Sequence, residues 1–358
     1  MRGSMPNLRQ EDIQKVAYHL LCAGGASDEN AGIVSSHMAG ANLAGHDSHG
    51  LIRTMQYLKD INIGRIDPKA RPEIVKETPS TAHINGNAAF GQVAATIGTE
   101  VAIEKARECG ISLVALSNLD HTGRIGTYPE MASREGMAAI MCTGYGADKR
   151  VSSVAPFGGR EGRMGTNPLS MSFPYKPDAP ILLDFATSMT SEGKLRVARA
   201  KGVELPDYWV LDKDGVPSRD PNDYYNGGVI LPLGGLTGGH KGHSLNFLVT
   251  LLGVVIGELG FDGRKEIGHR NGTSIIVIDL NAMAPSETVN FKVNEIVEYV
   301  KSSPPLEGSR GVLYPGEIEA ETRRDRKANG IPVDDTTWSQ IVSLIKEHKL
   351  DAELGELL

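Results

Sequence analysis

Cysteine, aromatic residues, long apolar runs and charge of one sign are all scarce in this chain, and each scarcity excludes a class of protein. Only Cys22, Cys109 and Cys142 occur in 358 residues. They lie too far apart for a disulfide framework or a spaced zinc site, which predicts a reducing compartment. The longest apolar stretch, Phe247 to Gly257, covers 11 residues. A membrane span needs roughly 20, so the stretch reads as a buried helix and no membrane partner is expected. Met1 to Met5 reads as an expression leader with the natural start at Met5, and no signal peptide follows. Together these features predict a cytoplasmic protein. The 37 basic and 44 acidic residues leave a net charge of −7. Such a chain has no overall field to hold nucleic acid or an anionic membrane.

Two nucleotide-binding signatures are missing as well. A Rossmann turn needs Gly-x-Gly-x-x-Gly between a strand and a helix, but Gly144-Tyr145-Gly146 is followed by Lys149 where the third glycine belongs. A phosphate loop needs Gly-Lys-Ser/Thr, whereas Gly239-His240-Lys241 interposes a histidine. Any nucleotide is therefore held by other means. Glycine itself is abundant, at 42 residues, which implies much tight-turn backbone.

Periodicity divides the chain into helical ends and a mixed centre. Apolar residues at Ile13, Val16, Ala17, Leu20 and Leu21 form one helical stripe. A second helix starts after the N-cap candidate Ser27, and a third near Ser48. From Pro72 onward, short β-like runs alternate with helices. The strands fall at 73–77, 81–84, 111–116, 137–142, 169–173, 181–185 and 274–279. Helices are expected at 92–107, 126–134, 192–201 and 240–258. The alternation predicts a layered α/β fold, and a hairpin across Thr78-Pro79-Ser80 predicts a mixed sheet. Helices return at 289–302, 317–327 and 336–346.

Three polar clusters could carry chemistry. In the first, Gly45-His46-Asp47-Ser48-His49-Gly50 precedes Arg53 and Tyr57, which share a helical face. An arginine there suits a carboxylate, which it grips through two parallel hydrogen bonds. The plainer reading is an N-cap serine on a surface helix. The second, Ser117-Asn118-Leu119-Asp120-His121-Thr122-Gly123-Arg124-Ile125-Gly126, follows a strand and opens a helix. Open α/β sheets place ligands at such points, although a loop histidine is more often structural. The third, Gly234 to His243, has five glycines that let backbone amides approach a phosphate, with Lys241 adding a cation. It reads equally as a flexible loop ahead of a helix. His46/His49 and His240/His243 are each three apart, but without a supporting carboxylate they make a poor metal site, and none is assigned.

Taken together, the motifs resemble the type-2 malate/L-lactate dehydrogenase family. They are Ser48-His49-Gly50 with Arg53, the His121 loop, Val154-Ala155-Pro156-Phe157-Gly158-Gly159, Gly165-Thr166-Asn167-Pro168, Asp184-Phe185-Ala186-Thr187-Ser188, Gly239-His240-Lys241-Gly242 and Pro315-Gly316-Glu317. The resemblance implies a non-Rossmann α/β/α fold with a mixed sheet. Residues 1–71 and 286–358 would form a helical substrate and dimerisation module, and residues 72–285 an NAD(P)-binding domain. It also implies interconversion of a 2-hydroxy acid and a 2-keto acid with NAD or NADP. By position, His49 corresponds to the proton donor, with Ser48 in relay. His121 is the rival for that role. Arg53 corresponds to the clamp on the substrate carboxylate, with Tyr57 and Thr166 as further substrate contacts. His121, Thr122, Gly123, Arg124, Ile125, Asp184, Phe185, Ala186, Gly239, His240, Lys241, Pro315, Gly316 and Glu317 correspond to cofactor contacts.

One position separates members of the family. Lys194 stands where the resemblance places lysine in hydroxy-acid members and aspartate in a cyclic-imine reductase. A cation there would stabilise a developing alkoxide. The segment Thr143 to Arg150 looks longer than the usual loop, which leaves pocket specificity open. The expectation is a 2-hydroxy/2-keto acid dehydrogenase, with a small carboxylate as substrate and a homodimer as assembly. The alternatives are a cyclic-imine reductase of the same fold, a metal-dependent hydrolase using the paired histidines and, last, a non-catalytic binding protein.

Overall fold

The computed structural model describes residues 6–145, 152–258 and 271–357. The leader at 1–5 and most of the long segment, residues 146–150, lie outside the described residues. At the centre is a seven-stranded sheet of β1 (Glu73–Glu77), β2 (Thr81–Asn85), β3 (Ile111–Leu119), β4 (Met137–Gly144), β5 (Leu169–Lys176), β6 (Ala179–Phe185) and β7 (Asn271–Asp279). Their spatial order is β1-β2-β3-β7-β4-β5-β6. Only β2 and β3 pair in parallel; the remaining neighbours are antiparallel. The sheet is mixed, as the Thr78–Ser80 hairpin implied, and is not a doubly wound Rossmann sheet.

Direction along these strands decides where polar residues collect. β3, β4 and β6 are each separated by two antiparallel steps, so they run in the same sense, and β2 runs with them. Their carboxyl ends therefore emerge at one end of the sheet. Gln92, His121, Tyr145 and Asp184 follow or close those ends. The central strands are buried along most of their length, so both faces need cover. One face carries α4 (Gly91–Cys109) and α5 (Thr127–Arg134), whose Ala94, Ala95, Ala102, Ala106, Tyr128 and Ala132 pack on Ile84, Leu116, Met141 and Val277. The other carries α7 (Gly235–Thr250), which continues as a π-helical turn at Leu251–Val255.

That last helix corrects the expected glycine loop. Gly235 to His243 are already helical, although glycine is about 1 kcal/mol less favourable than alanine in a helix interior. Close approach outweighs propensity here: a Cβ on Gly242 would lie 2.0 Å from the Leu233 carbonyl oxygen, and one on Gly257 would lie 2.6 Å from that of Leu116. The apolar run is also not wholly buried. Val249 and Val254 face inward, while Phe247, Leu248, Leu251, Leu252 and Val255 are exposed.

The chain's two ends share a core. α1 (Gln10–Ala23) and α2 (Asp28–Leu43), with Ser27 Oγ accepting from the Asn30 amide, pack with Tyr57, Phe90, Ile331, Ile341 and Ile345. α3 (Arg53–Asn62) packs against α1, while α2 packs on α4. α6 (Glu192–Lys201), at the residues where a helix was expected, and three two-residue strands at 210–230, where no element was assigned, form a small lobe around Val154, Leu195 and Leu205. α8 (Ser286–Lys301) places Val289, Val293 and Val297 against Phe173 and Ile181 of β5 and β6. α9 (Glu317–Asn329) and α10 (Asp335–Glu347) follow, the latter capped by Asp334.

Where α4 meets the end of β3 there is no room for a side chain. A Cβ on Gly91 would sit 2.2 Å from the Asp120 carbonyl oxygen and 2.5 Å from the His121 carbonyl carbon. Gly91→Ala should therefore lower stability by about 1–3 kcal/mol, as overpacking does. A melting temperature equal to that of the parent protein would contradict this close approach.

Candidate active site

The first cluster folds differently from its sequence reading. Ser48 is not an N-cap: residues 47–49 form a short 3-10 turn, and α3 begins at Arg53 with no side-chain cap. The turn is built by Asn42, whose Oδ1 accepts from the Leu51 amide at 2.8 Å and whose Nδ2 donates to Asp47 at 2.7 Å. A Cβ on Gly50 would lie 2.0 Å from Asn42 Oδ1, so only glycine fits. From the far end of the chain, Arg326 of α9 donates to both carboxylate oxygens of Asp47, at 2.6 and 2.9 Å. His46 faces Glu319 of the same helix at 3.4 Å.

This turn delivers His49 to the centre of the site. Ser48 Oγ lies 3.0 Å from His49 Nδ1, and the His49 and His121 rings stack with centroids 5.6 Å apart and planes 16° from parallel. Arg53 Nε donates to the Ser48 carbonyl at 2.6 Å, and its Nη1 donates to Gln56 at 2.6 Å. Its remaining amino group has no hydrogen-bond partner among the described residues. Tyr57, one turn along α3, is buried, and its hydroxyl lies 2.9 Å from His121 Nδ1.

The His121 loop is pinned along its length. Asp120, buried and paired with Arg65 at 2.5 Å, accepts from the His121 amide at 2.6 Å. Tyr128 donates to the Thr122 carbonyl at 2.5 Å, and buried His37 accepts from the Arg124 amide at 2.9 Å. Gly123 has φ +72°, and a Cβ there would meet His37 Nε2 at 2.2 Å. Buried Arg124 lies between Glu130 (3.1 Å) and Asp184 (3.3 Å), while the Gly126 amide donates to Asp184 at 3.1 Å. Ile125 is buried.

The remaining candidates sit in three places. Thr166 is half-buried, its carbonyl accepting from the Thr187 amide at 2.9 Å. Its turn is tied to α7, because Asn246 Nδ2 donates to the Gly165 carbonyl at 2.9 Å and Asn167 donates to Thr250 at 2.6 Å. Phe185 and Ala186 close β6. Near the start of α7, Gly239 abuts Phe157, the His240 ring meets that of Phe157 edge-on at 5.7 Å, and Lys241 is exposed. Lys194 is exposed at the start of α6, and a Cβ on its neighbour Gly193 would lie 3.8 Å from Ser48 Cβ. Pro315 and Gly316 line the edge of β6, the Pro315 carbonyl accepting from the Leu182 amide at 2.8 Å. Glu317 is occupied by Lys301 and the Tyr314 amide.

A dinucleotide would meet a suitable donor set here. At the start of α7, sixteen residues long, Gly238 has nothing within 4 Å of where a Cβ would be, and Lys241 stands close by in sequence. Open glycine backbone, a helix N-terminus and a cation suit a pyrophosphate. The carboxylates of Asp184 and Glu317 are committed to structural partners, so their neighbouring backbone is what remains for a cofactor. Among the described residues, no group of three or more histidine, cysteine or acidic side chains is placed to hold a metal ion, and no helix is long and apolar enough to cross a membrane.

Burial sets the protonation of the site. It pushes His49 and His37 down to about 3, with Arg53 adding to the effect at His49 and Arg124 at His37. His121 is lowered in the same way, first by burial and then by Arg53. All three imidazoles are therefore neutral near pH 7. Sequence reasoning passed over Asn42, His37, Gln92 and Arg326; their partners lie far away in the chain, and no local pattern marks them.

The three histidines also make stability depend on pH. Their folded-state pKa lies below the unfolded value, so their contribution is present above about pH 6.5 and is lost as the pH falls, toward about 3 for His37 and His49. By pH 5 His37 and His49 are each expected to cost about 2 kcal/mol of stability, and His121 adds in the same direction. The melting temperature should therefore drop between pH 7 and pH 5, and a flat profile across that range would show that the imidazoles are not buried neutral.

The malate/L-lactate dehydrogenase family matches the chain from residue 8 to residue 342. Hydroxycarboxylate dehydrogenase B of Escherichia coli is 35% identical over 330 residues, covering 90% of this chain and 89% of that protein. L-sulfolactate dehydrogenase of Methanocaldococcus jannaschii is 34% identical over 354 residues, covering 97% and 98%. Among solved structures, a putative malate/lactate dehydrogenase from E. coli superposes with a TM-score of 0.88 at 32% identity, covering 98% of this chain and 99% of that one. The mixed sheet, the collinear motifs and these matches have one reading: the chain belongs to the malate/L-lactate dehydrogenase family.

Proposed function

We propose that this protein is an oxidoreductase interconverting a small 2-hydroxy acid and the corresponding 2-keto acid, with NAD or NADP as hydride carrier. The observation that carries the reading is the pair of stacked neutral imidazoles, His49 and His121, beside the Arg53 guanidinium. Arg53 grips the substrate carboxylate through its uncommitted amino group, which orients C2 toward the histidines. A bound nicotinamide supplies hydride exchange at C2, held by the loop at His121–Ile125, by Phe185 and Ala186, by Gly239, His240 and Lys241, and by Pro315 and Gly316.

In the oxidative direction, neutral His49 Nε2 accepts the hydroxyl proton while Ser48 holds Nδ1. In reduction the same proton returns to the keto oxygen. A depressed pKa keeps His49 in its unprotonated form but makes it a weak proton acceptor. The incoming carboxylate offsets Arg53 and eases protonation for the reverse step. Lys194, at the mouth of the site near Ser48, adds positive potential for an alkoxide. That supports a keto acid over a cationic imine. Thr166 completes the substrate wall, while Tyr57, fully buried with its hydroxyl against His121 Nδ1, supports the histidine from behind.

Nicotinamide absorbance should change with members of a panel of 2-hydroxy and 2-keto acids, tested with both cofactors, and change little with piperideine or pyrroline carboxylates. The reverse pattern would make the protein an imine reductase. On the responding acid, His49→Ala should lose about 10²–10⁴ in kcat, the usual worth of acid-base catalysis. If only His121→Ala abolishes turnover while cofactor still binds, His121 carries the proton. Arg53→Lys keeps the charge but loses the fork; an unchanged KM would refute the clamp.

The exposed apolar row of α7, Leu236, Phe247, Leu248, Leu251, Leu252 and Val255, supports a homodimer, since a patch of this kind on a free surface is unfavourable. Sedimentation at micromolar concentration is expected to give twice the chain mass, and a monomer would count against the dimer.

A further inference from the structure

Behind His121 lies a buried hydrogen-bond chain that the proposed chemistry does not use. Gln92, in the first turn of α4, is fully buried. Its Nε2 donates to the Tyr57 hydroxyl oxygen at 2.5 Å, and that hydroxyl lies 2.9 Å from His121 Nδ1. Gln92 Oε1 is buried with no hydrogen-bond partner among the described residues. Tyr57 is also fully buried, and burial holds its phenol well above the ordinary range, so it remains protonated with a single O–H to give.

Counting protons along this chain fixes the tautomer of His121. The phenol oxygen accepts from the Gln92 amide, so its one proton goes to His121 Nδ1. The imidazole hydrogen must then sit on Nε2, where it can donate a hydrogen bond to a substrate oxygen but cannot take up a proton. For His121 to accept a proton at Nε2, Nδ1 must carry a hydrogen and donate it to the phenol oxygen. The phenol proton then needs another acceptor. Among the described residues, the hydroxyl's hydrogen-bond partner other than His121 is the Gln92 amide, whose carbonyl can be brought round by a half-turn because its two ends have the same shape. In that orientation the partnerless Oε1 gains its hydrogen bond.

We propose that Gln92 is a positioning residue: acting through Tyr57, its amide orientation decides whether His121 is a hydrogen-bond donor or a proton acceptor at Nε2. The inference rests on the reading that the His49–His121 pair handles the transferred proton. It also ranks the two histidines. With the amide as it stands, His121 holds the substrate oxygen and His49 moves the proton. A flipped amide makes His121 competent for the same task.

The test is ¹⁵N spectroscopy of the histidine rings in the free protein, with the His121 signals identified by their loss in His121→Ala. Nitrogen shifts distinguish the two tautomers without any turnover. The parent protein should show Nε2–H and an unprotonated Nδ1 at neutral pH. In Gln92→Glu an acceptor-only end faces Tyr57, so Nδ1 should become protonated and the His121 titration midpoint should rise by at least tenfold in proton affinity. Gln92→Met removes donor and acceptor alike; it should keep Nε2–H and lose the shift. Identical His121 spectra in the parent and Gln92→Glu would overturn the proposal. Kinetics add a second readout on the responding acid. If His121 is the carrier, Gln92→Met should lower kcat at least tenfold with KM changed less than twofold, and Gln92→Glu should restore part of the loss with a raised pH midpoint. A wild-type protein inactive on every acid tested would sink the functional reading while leaving the tautomer result to be judged by itself.

Discussion

The structure depends on one buried carboxylate. Glu130, on α5, is 3% exposed and accepts from Arg124 at 3.1 Å and from Arg323 of α9 at 2.6 and 2.7 Å. Burial alone would raise its carboxyl, but the two guanidiniums outweigh it and hold it below the usual range. Arg124 in turn reaches Asp184 at the end of β6. Four parts of the chain therefore meet at one charge: the His121 loop, α5, the edge of the sheet and the C-terminal helix. An ion cluster of this kind contributes little net stability over a hydrophobic substitute, yet losing one partner leaves an uncompensated buried charge. Its effect here is registration. It fixes the distance between the sheet that carries His121 and the helix whose Arg326 builds the His49 turn.

With that distance set, the protonation of the site follows from its shielding. Two partly buried imidazoles stacked near Arg53 stay neutral, since neither desolvation nor a neighbouring cation tolerates a second positive charge. In the proposed reaction, a substrate carboxylate held by Arg53 would change this balance, so the group that recognises the substrate would also adjust the basicity of the histidine. The glycines serve this geometry. Gly50, Gly91 and Gly123 each stand where a Cβ would strike Asn42, the Asp120–His121 backbone or His37, so the three segments that converge on the histidines approach more closely than any side chain would permit.

Much of this was legible in the residues. The alternation of strands and helices, the mixed sheet signalled by the Thr78–Ser80 hairpin, the caps at Ser27 and Asp334, and the motifs around His49, His121, Thr166 and Asp184 all follow from local pattern or from resemblance. Other features were misjudged for identifiable reasons. Gly234 to His243 looked like a loop because glycine lowers helix propensity, but contact with Leu233 and Phe157 overrides that preference. Ser48 looked like an N-cap because serine often is one, but Asn42 captures the Leu51 amide first.

By itself the sequence determined the class of fold and the family, and marked the candidate residues for a proton and a carboxylate, because periodicity, capping and collinear motifs act over a few residues. Only the tertiary structure decided that Gln92 stands behind Tyr57, that Arg326 reaches back 279 positions to Asp47 and that Arg323 reaches 193 positions to Glu130. Pairing of this kind is chosen by how packed layers bring buried donors and acceptors together. A buried polar atom must find a partner wherever the fold places one, and nothing in the local sequence records where that is.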